Sequence, residues 1–138
     1  MWGMGLKLSR QQRQLLLDWA EEAGEDECCG LLLGQFGSVE RVELTKNVAE
    51  KPNSNFEIDP FALILAEKAS RNGGPEILGY FHSHPTGRNT PSAHDASSAV
   101  ADGRCWLIVA KGQVTAWRPV GNGPGQPVIF QAERLDWG

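Results

Sequence analysis

The sequence predicts an α/β fold of the α+β kind, a mixed β-sheet flanked by helices. Three observations carry this. Apolar runs such as CCGLLLGQF (28–36), PEILGYFHSH (75–84) and CWLIVA (105–110) are short and read as buried strands. Two capped segments, starting at Ser9 and Asp59, read as helices. Strands and helices do not alternate strictly, which disfavours a doubly wound parallel sheet. The 138 residues suit a single domain, 1–138, with one buried core.

In chain order, Leu6 to Leu8 reads as a short strand. SRQQ (9–12) has the form of a capping box, with Ser9 as N-cap and Gln12 three residues on. The helix after it should set Leu15, Leu16, Trp19 and Ala23 on one side and stop at Gly24. Residues 28–36 form a buried strand. SVERVELTKNVA (38–49) follows as a half-exposed one, with Val39, Val42 and Leu44 alternating with charges. KPNSN is a turn cluster. Asp59 caps a second helix with Pro60 at its first position. The strand 75–84 runs into a loop, TGRNTP, and a weaker helix over 92–103. Residues 105–119 read as a hairpin turning at Lys111-Gly112. VIFQAERL (128–135) is a last strand or a short helix. Gly30, Gly34 and Gly79 suggest close approach of backbones.

The composition is that of an ordinary globular chain, 41% hydrophobic and 22% charged. A net charge of −4 and the lack of a basic run argue against nucleic acid or an anionic membrane as partner. No apolar run has the length of a membrane span, and the start MWGMGLKLS lacks a signal-peptide pattern, so the expected compartment is the cytoplasm. Cys28, Cys29 and Cys105 make neither a disulfide framework nor a CxxC zinc pair. They read as reduced, mostly buried thiols.

All three histidines fall within residues 82–94. His82 and His84 end a strand, where side chains at i and i+2 share a face and can converge on one ion. Ser83 points the other way, and Pro85 ends the pairing. Pro91 and Ser92 mark a helix start. Asp95 then lies in the first turn, where the helix dipole favours a carboxylate. Two His and one Asp with a fourth position left to water is the pattern of a catalytic zinc. The plainer alternatives are an exposed strand end and a simple S-x-x-D cap. His94 lies about 100° round the helix from Asp95 and reads as a surface residue or an outer partner of the site.

The spacing His82-x-His84-x7-Ser92-x2-Asp95 resembles the JAMM motif of MPN+ (Mov34/PAD-1-like) metallopeptidases. The stretch Glu27-Cys28-Cys29-Gly30-Leu31-Leu32-Leu33-Gly34 resembles the segment that carries the family's upstream glutamate in its short, free-standing prokaryotic members. NSNFEIDP (53–60) resembles the stretch before their second helix. The likeness covers about residues 6 to 118 and implies an MPN/JAMM-type, cytidine-deaminase-like sheet. It implies one zinc per chain on His82, His84 and Asp95, Glu27 as general base and acid, and Ser92 as hydrogen-bond donor to the developing oxyanion. Glu25, two residues from Glu27, is the competing carboxylate. Cys29 matches the family's strand cysteine and reads as packing. The implied activity is hydrolysis of amide bonds at the C-terminal Gly-Gly of a ubiquitin-like or sulfur-carrier protein. The alternative is a non-catalytic MPN scaffold, though such relatives usually lack a motif residue. A zinc deaminase would need a PCxxC pair, which is missing here.

Overall fold

The computed structural model describes residues 5–138. Residues 1–4, part of the N-terminal stretch read above for a signal peptide, lie outside the described residues. Among the described residues, eight strands form one sheet: β1 (Leu6–Leu8), β2 (Cys29–Gln35), β3 (Ser38–Thr45), β4 (Glu76–Ser83), β5 (Cys105–Ala110), β6 (Gln113–Val120), β7 (Ile129–Glu133) and β8 (Leu135–Trp137). Helices α1 (Arg10–Ala23), α2 (Pro60–Arg71) and α3 (Ala93–Ser98) complete the fold. The strand order is β7-β6-β5-β4-β2-β3-β1-β8. Parallel pairing occurs at β4–β5 and at β1 with β3 and β8; the other pairs are antiparallel. The sheet is therefore mixed, as the irregular order of strand and helix patterns requires.

Strands β7 and β8 stand at opposite ends of this order, yet Arg134 alone separates them. One residue can bridge the two edges only if the sheet curls almost into a barrel. The Arg134 carbonyl accepts the Leu6 N–H at 2.9 Å where the edges meet. The C-terminal segment, read from sequence as one strand or a helix, thus supplies two strands.

The two faces of the sheet carry different cores. Leu16 of α1 packs with Leu32, Phe81, Leu107, Val109 and Ala116 on one face. Leu31, Leu33 and Ile77 pack with Leu63 and Ala66 of α2 on the other. Ser9 caps α1 through the predicted box with Gln12, and Asp59 caps α2 ahead of Pro60. Gly30 is required where β2 crosses the Phe81 ring, since a Cβ there would collide with that ring and with the Glu43 carbonyl. Gly34 and Gly79 face backbone equally closely.

Two side-chain placements differ from the sequence reading, and α3 ends at Ser98 instead of continuing to 103. Leu15 is 40% exposed rather than on the packed side of α1, whose contact stripe is narrower than its run of leucines. Leu44 is also exposed although it shares the face of buried Val42, and the β2–β3 register shifts only farther along, between Leu33 and Gly34. That bulge turns both Val39 and Val42 inward, though they are three residues apart, and interrupts the simple alternation.

Candidate metal centre

His82 is one of the last residues of β4, and the backbone continues extended through His84, whose N–H donates to the Val109 carbonyl at 3.0 Å. Both rings emerge on the α2 face, and Ser83 turns to the other, where its Oγ accepts the Cys28 N–H at 2.8 Å. Pro85 opens a loop that returns the chain at Ser92. Ser92 and Asp95 form a reciprocal capping box: Asp95 N–H donates to Ser92 Oγ at 3.0 Å, and Ser92 N–H donates to Asp95 Oδ2 at 2.9 Å. The S-x-x-D cap is therefore real. It also aims the carboxylate at the histidines.

Three atoms converge. His82 Nε2 and His84 Nε2 are 3.0 Å apart, and Asp95 Oδ2 lies 3.2 and 3.1 Å from them. Ligand atoms around a tetrahedral zinc, each about 2.0–2.2 Å from the metal, stand roughly 3.3 Å from one another. The triangle therefore has the dimensions of one face of such a site. A carboxylate oxygen of Glu27 joins the group, lying within 4.8 Å of both ring nitrogens. All four residues are buried. Glu27 Oε1 and His82 Nδ1 have no hydrogen-bond partner. Acceptors crowded together with an orphaned carboxylate oxygen are an unfavourable arrangement without a cation, so the donor set fits a metal ion.

The two rings are held differently. His84 Nδ1–H donates to the Arg88 carbonyl at 2.7 Å, which leaves the Nε2 lone pair toward the cluster. The His82 ring stacks on Phe56, with centroids 4.2 Å apart, and meets the edge of Trp106 at 5.5 Å. Phe130 of β7 backs Trp106 at 5.3 Å. The residues missed in the sequence were these walls. Phe56 was visible only as part of NSNF, and nothing local marks the Arg88 carbonyl.

Glu27 is fixed from both sides of its peptide. Its N–H donates to the Pro52 carbonyl and its carbonyl accepts from Asn47 Nδ2, each at 2.8 Å. Glu25 is exposed, so the structure brings Glu27 and not Glu25 into the cluster. Burial pushes the Glu27 carboxyl up to about 7, a rise that His84 partly offsets. Burial also lowers His82. For Asp95, burial alone would raise the carboxyl, but hydrogen bonds with His82, His84 and Ser92 outweigh it and hold the group well below the usual range. Burial drives the Cys29 thiol up to about 11, so it is inert, as a packing residue should be. Ser92 Oγ serves the cap as an acceptor, which leaves its hydroxyl proton uncommitted. His94 is exposed on the outer side of α3.

Residues 9–120 match the family model described as prokaryotic homologs of the JAB domain. The chain belongs to this family. Relatives of this JAB chain include a desampylase from Haloferax volcanii, 32% identical over 124 residues, covering 85% of this chain and 89% of that protein. A probable TtuB-protein conjugate cleaving protease from Thermus thermophilus is 40% identical over 73 residues, covering 53% of this chain and 49% of its own length. A solution structure of a protein from Desulfitobacterium hafniense matches with a TM-score of 0.74 at 28% identity, covering 96% of this chain and 94% of that one. A JAB1/MPN domain protein from Archaeoglobus fulgidus shares the fold, with a TM-score of 0.63 at 19% identity over 97% of this chain and 98% of that one. The predicted JAMM/MPN class of mixed sheet is the observed one. Among the described residues, no helix is long and apolar enough to cross a membrane.

Proposed function

We propose that this JAB-family hydrolase is a zinc-dependent isopeptidase that releases a ubiquitin-like or sulfur-carrier protein from its conjugates by cutting after a C-terminal Gly-Gly. The observation that carries the reading is the triangle of His82, His84 and Asp95 at 3.0–3.2 Å, with the buried Glu27 carboxylate beside it. The three residues would hold one zinc per chain and leave its fourth position open to water. Bound there, zinc supplies Lewis acidity and makes a water acidic enough to attack at neutral pH.

The remaining chemistry belongs to the chain. Glu27, raised to about 7, can take a proton from the attacking water and return it to the leaving amine. Ser92 has a hydroxyl proton to donate to the oxygen that gains charge. The groove beside His82, lined by Phe56, Ile58, Leu63, Tyr80, Val100 and Trp106, offers an apolar course for an extended tail. Two glycines let that tail pass the buried site without side-chain obstruction. The desampylases and the TtuB-conjugate protease support a conjugate as substrate. A cytoplasmic setting accords with three cysteines that are all free.

The test is hydrolysis of a carrier joined through its terminal glycine to a lysine, with zinc content measured in parallel. We expect about one zinc per chain and release of the free carrier. Glu27→Gln should keep the zinc and lose roughly a hundredfold to ten-thousandfold in rate. A carrier ending in Ala-Ala should resist cleavage. Processing of that carrier at the normal rate would defeat the specificity, and a near-normal Glu27→Gln enzyme would defeat the role of Glu27.

A further inference from the structure

The pairing register places a third strand in the construction of the site. His82 lies across from Ile108, and Ile108 lies across from Thr115. Directly paired residues share a face, so Gln113, Thr115 and Trp117 of β6 stand on the same face as the histidines. The loop 85–91 folds over this face and is tied down on β6. Thr115 Oγ1 donates to the Asn89 carbonyl at 2.7 Å and accepts the Trp117 indole N–H at 3.0 Å. Asn89 Nδ2 donates to Gln113 Oε1 at 3.1 Å. The residue just before Asn89 is Arg88, whose carbonyl holds His84 Nδ1–H at 2.7 Å. The aliphatic stem of Lys111 fills the space that a Cβ on Gly87 would need.

We propose that Thr115 is a positioning residue for the metal centre. Its hydroxyl pins the Asn89 carbonyl, restrains the peptide that carries the Arg88 carbonyl, and so fixes the tautomer and orientation of His84. The direction of these bonds is not free to reverse. An indole N–H can only donate and a carbonyl can only accept, so the hydroxyl must accept from Trp117 and donate to Asn89. Valine has the shape of threonine but would leave both partners unpaired. This inference rests on reading His84 as a ligand, and it gives β6, remote in sequence from the HxH pair, a part in metal affinity.

The experiment titrates the metal-stripped 138-residue chain with zinc against a chromophoric chelator. It uses wild type, Thr115→Val and Thr115→Ser. Ring-nitrogen NMR signals of His84 are recorded in the metal-free forms. Thr115→Val should bind zinc about tenfold more weakly, at the low end for partners that orient ligating histidines. Its His84 should show mixed tautomers. Thr115→Ser, which restores the hydroxyl, should lie within about twofold of wild type and keep a single tautomer. Wild-type affinity and ring signals in Thr115→Val would overturn the proposal. So would a Thr115→Ser chain as impaired as Thr115→Val, since the hydroxyl would then not be the feature that matters. A wild-type chain that takes up no zinc would defeat the metal reading instead. The His84 ring signals would still decide the role of Thr115, because they need no metal.

Discussion

His82 and His84 sit two residues apart and face one carboxylate, but they are built into the molecule by opposite means. His82 is fully buried between aromatic side chains, with Phe56 stacked on it and Trp106 at its edge, and its Nδ1 has no partner. His84 stands at the lip of the site, and a backbone carbonyl holds its Nδ1. One ring is fixed by packing and the other by a directed hydrogen bond. Support by packing weakens with each loss of bulk. A carbonyl bond tolerates any side chain at the residue that supplies it, provided the loop keeps its path.

The largest expected effect removes what the two rings share. Asp95→Asn keeps an oxygen to cap α3 but loses the charge, so the cap should survive while zinc affinity falls more than a hundredfold. Metal analysis after gel filtration, paired with helix content by circular dichroism, would separate the two. Retained zinc would take Asp95 out of the ligand set.

Next comes the Glu27 carboxyl beside the two rings. In the metal-free chain burial holds Glu27 near 7, above its ordinary 4.5. The unfolded chain gives up this proton first, so the stability present below about 4.5 is progressively lost as pH climbs to about 7. Glutamine carries no such loss. Metal-free Glu27→Gln should therefore gain on wild type across that window and hold its advantage above it. Parallel melting curves with pH-independent differences would show that Glu27 is not buried as described.

The asymmetry between the histidines is sharpened by a pair of substitutions with smaller effects. Phe56→Ala strips the wall from His82. Because Phe56 is only half-buried, the cost should be about 1–2 kcal/mol, below that of a fully buried aromatic, with a few-fold loss of zinc affinity. Arg88→Ala leaves the carbonyl in place and should change neither melting temperature nor zinc binding measurably. If Arg88→Ala were the more damaging of the two, the contrast between packing and backbone support would be wrong.

Much of this was legible in the sequence for a physical reason. The HxH strand end, the S-x-x-D cap, the Ser9 box and the Asp59-Pro60 start are local patterns, and local geometry decides where their side chains point. The ambiguity between Glu25 and Glu27 was not local. The pairing of β2 with β3 and β4, together with the Pro52 carbonyl and Asn47, selects Glu27. The bulge opposite Gly34 and the wall made by Phe56, Trp106 and Phe130 join residues far apart in the chain, and no short window contains them. The double use of residues 129–137 was hidden for the same reason, since strand propensity does not say which edge a strand will join.

That closure has a kinetic consequence. Leu6 pairs with Leu135 at nearly the full sequence separation the chain allows, and β7 and β8 complete both edges at once. The sheet therefore keeps open edges until its final strands arrive, and the last contacts to form bear the greatest loop-closure entropy. Folding should be limited by this late docking step, in the slow millisecond-to-second regime of non-local β topologies. Until then the Trp106 side of the metal centre lacks Phe130 behind it. Tight metal binding should accordingly follow the docking of β7 rather than precede it.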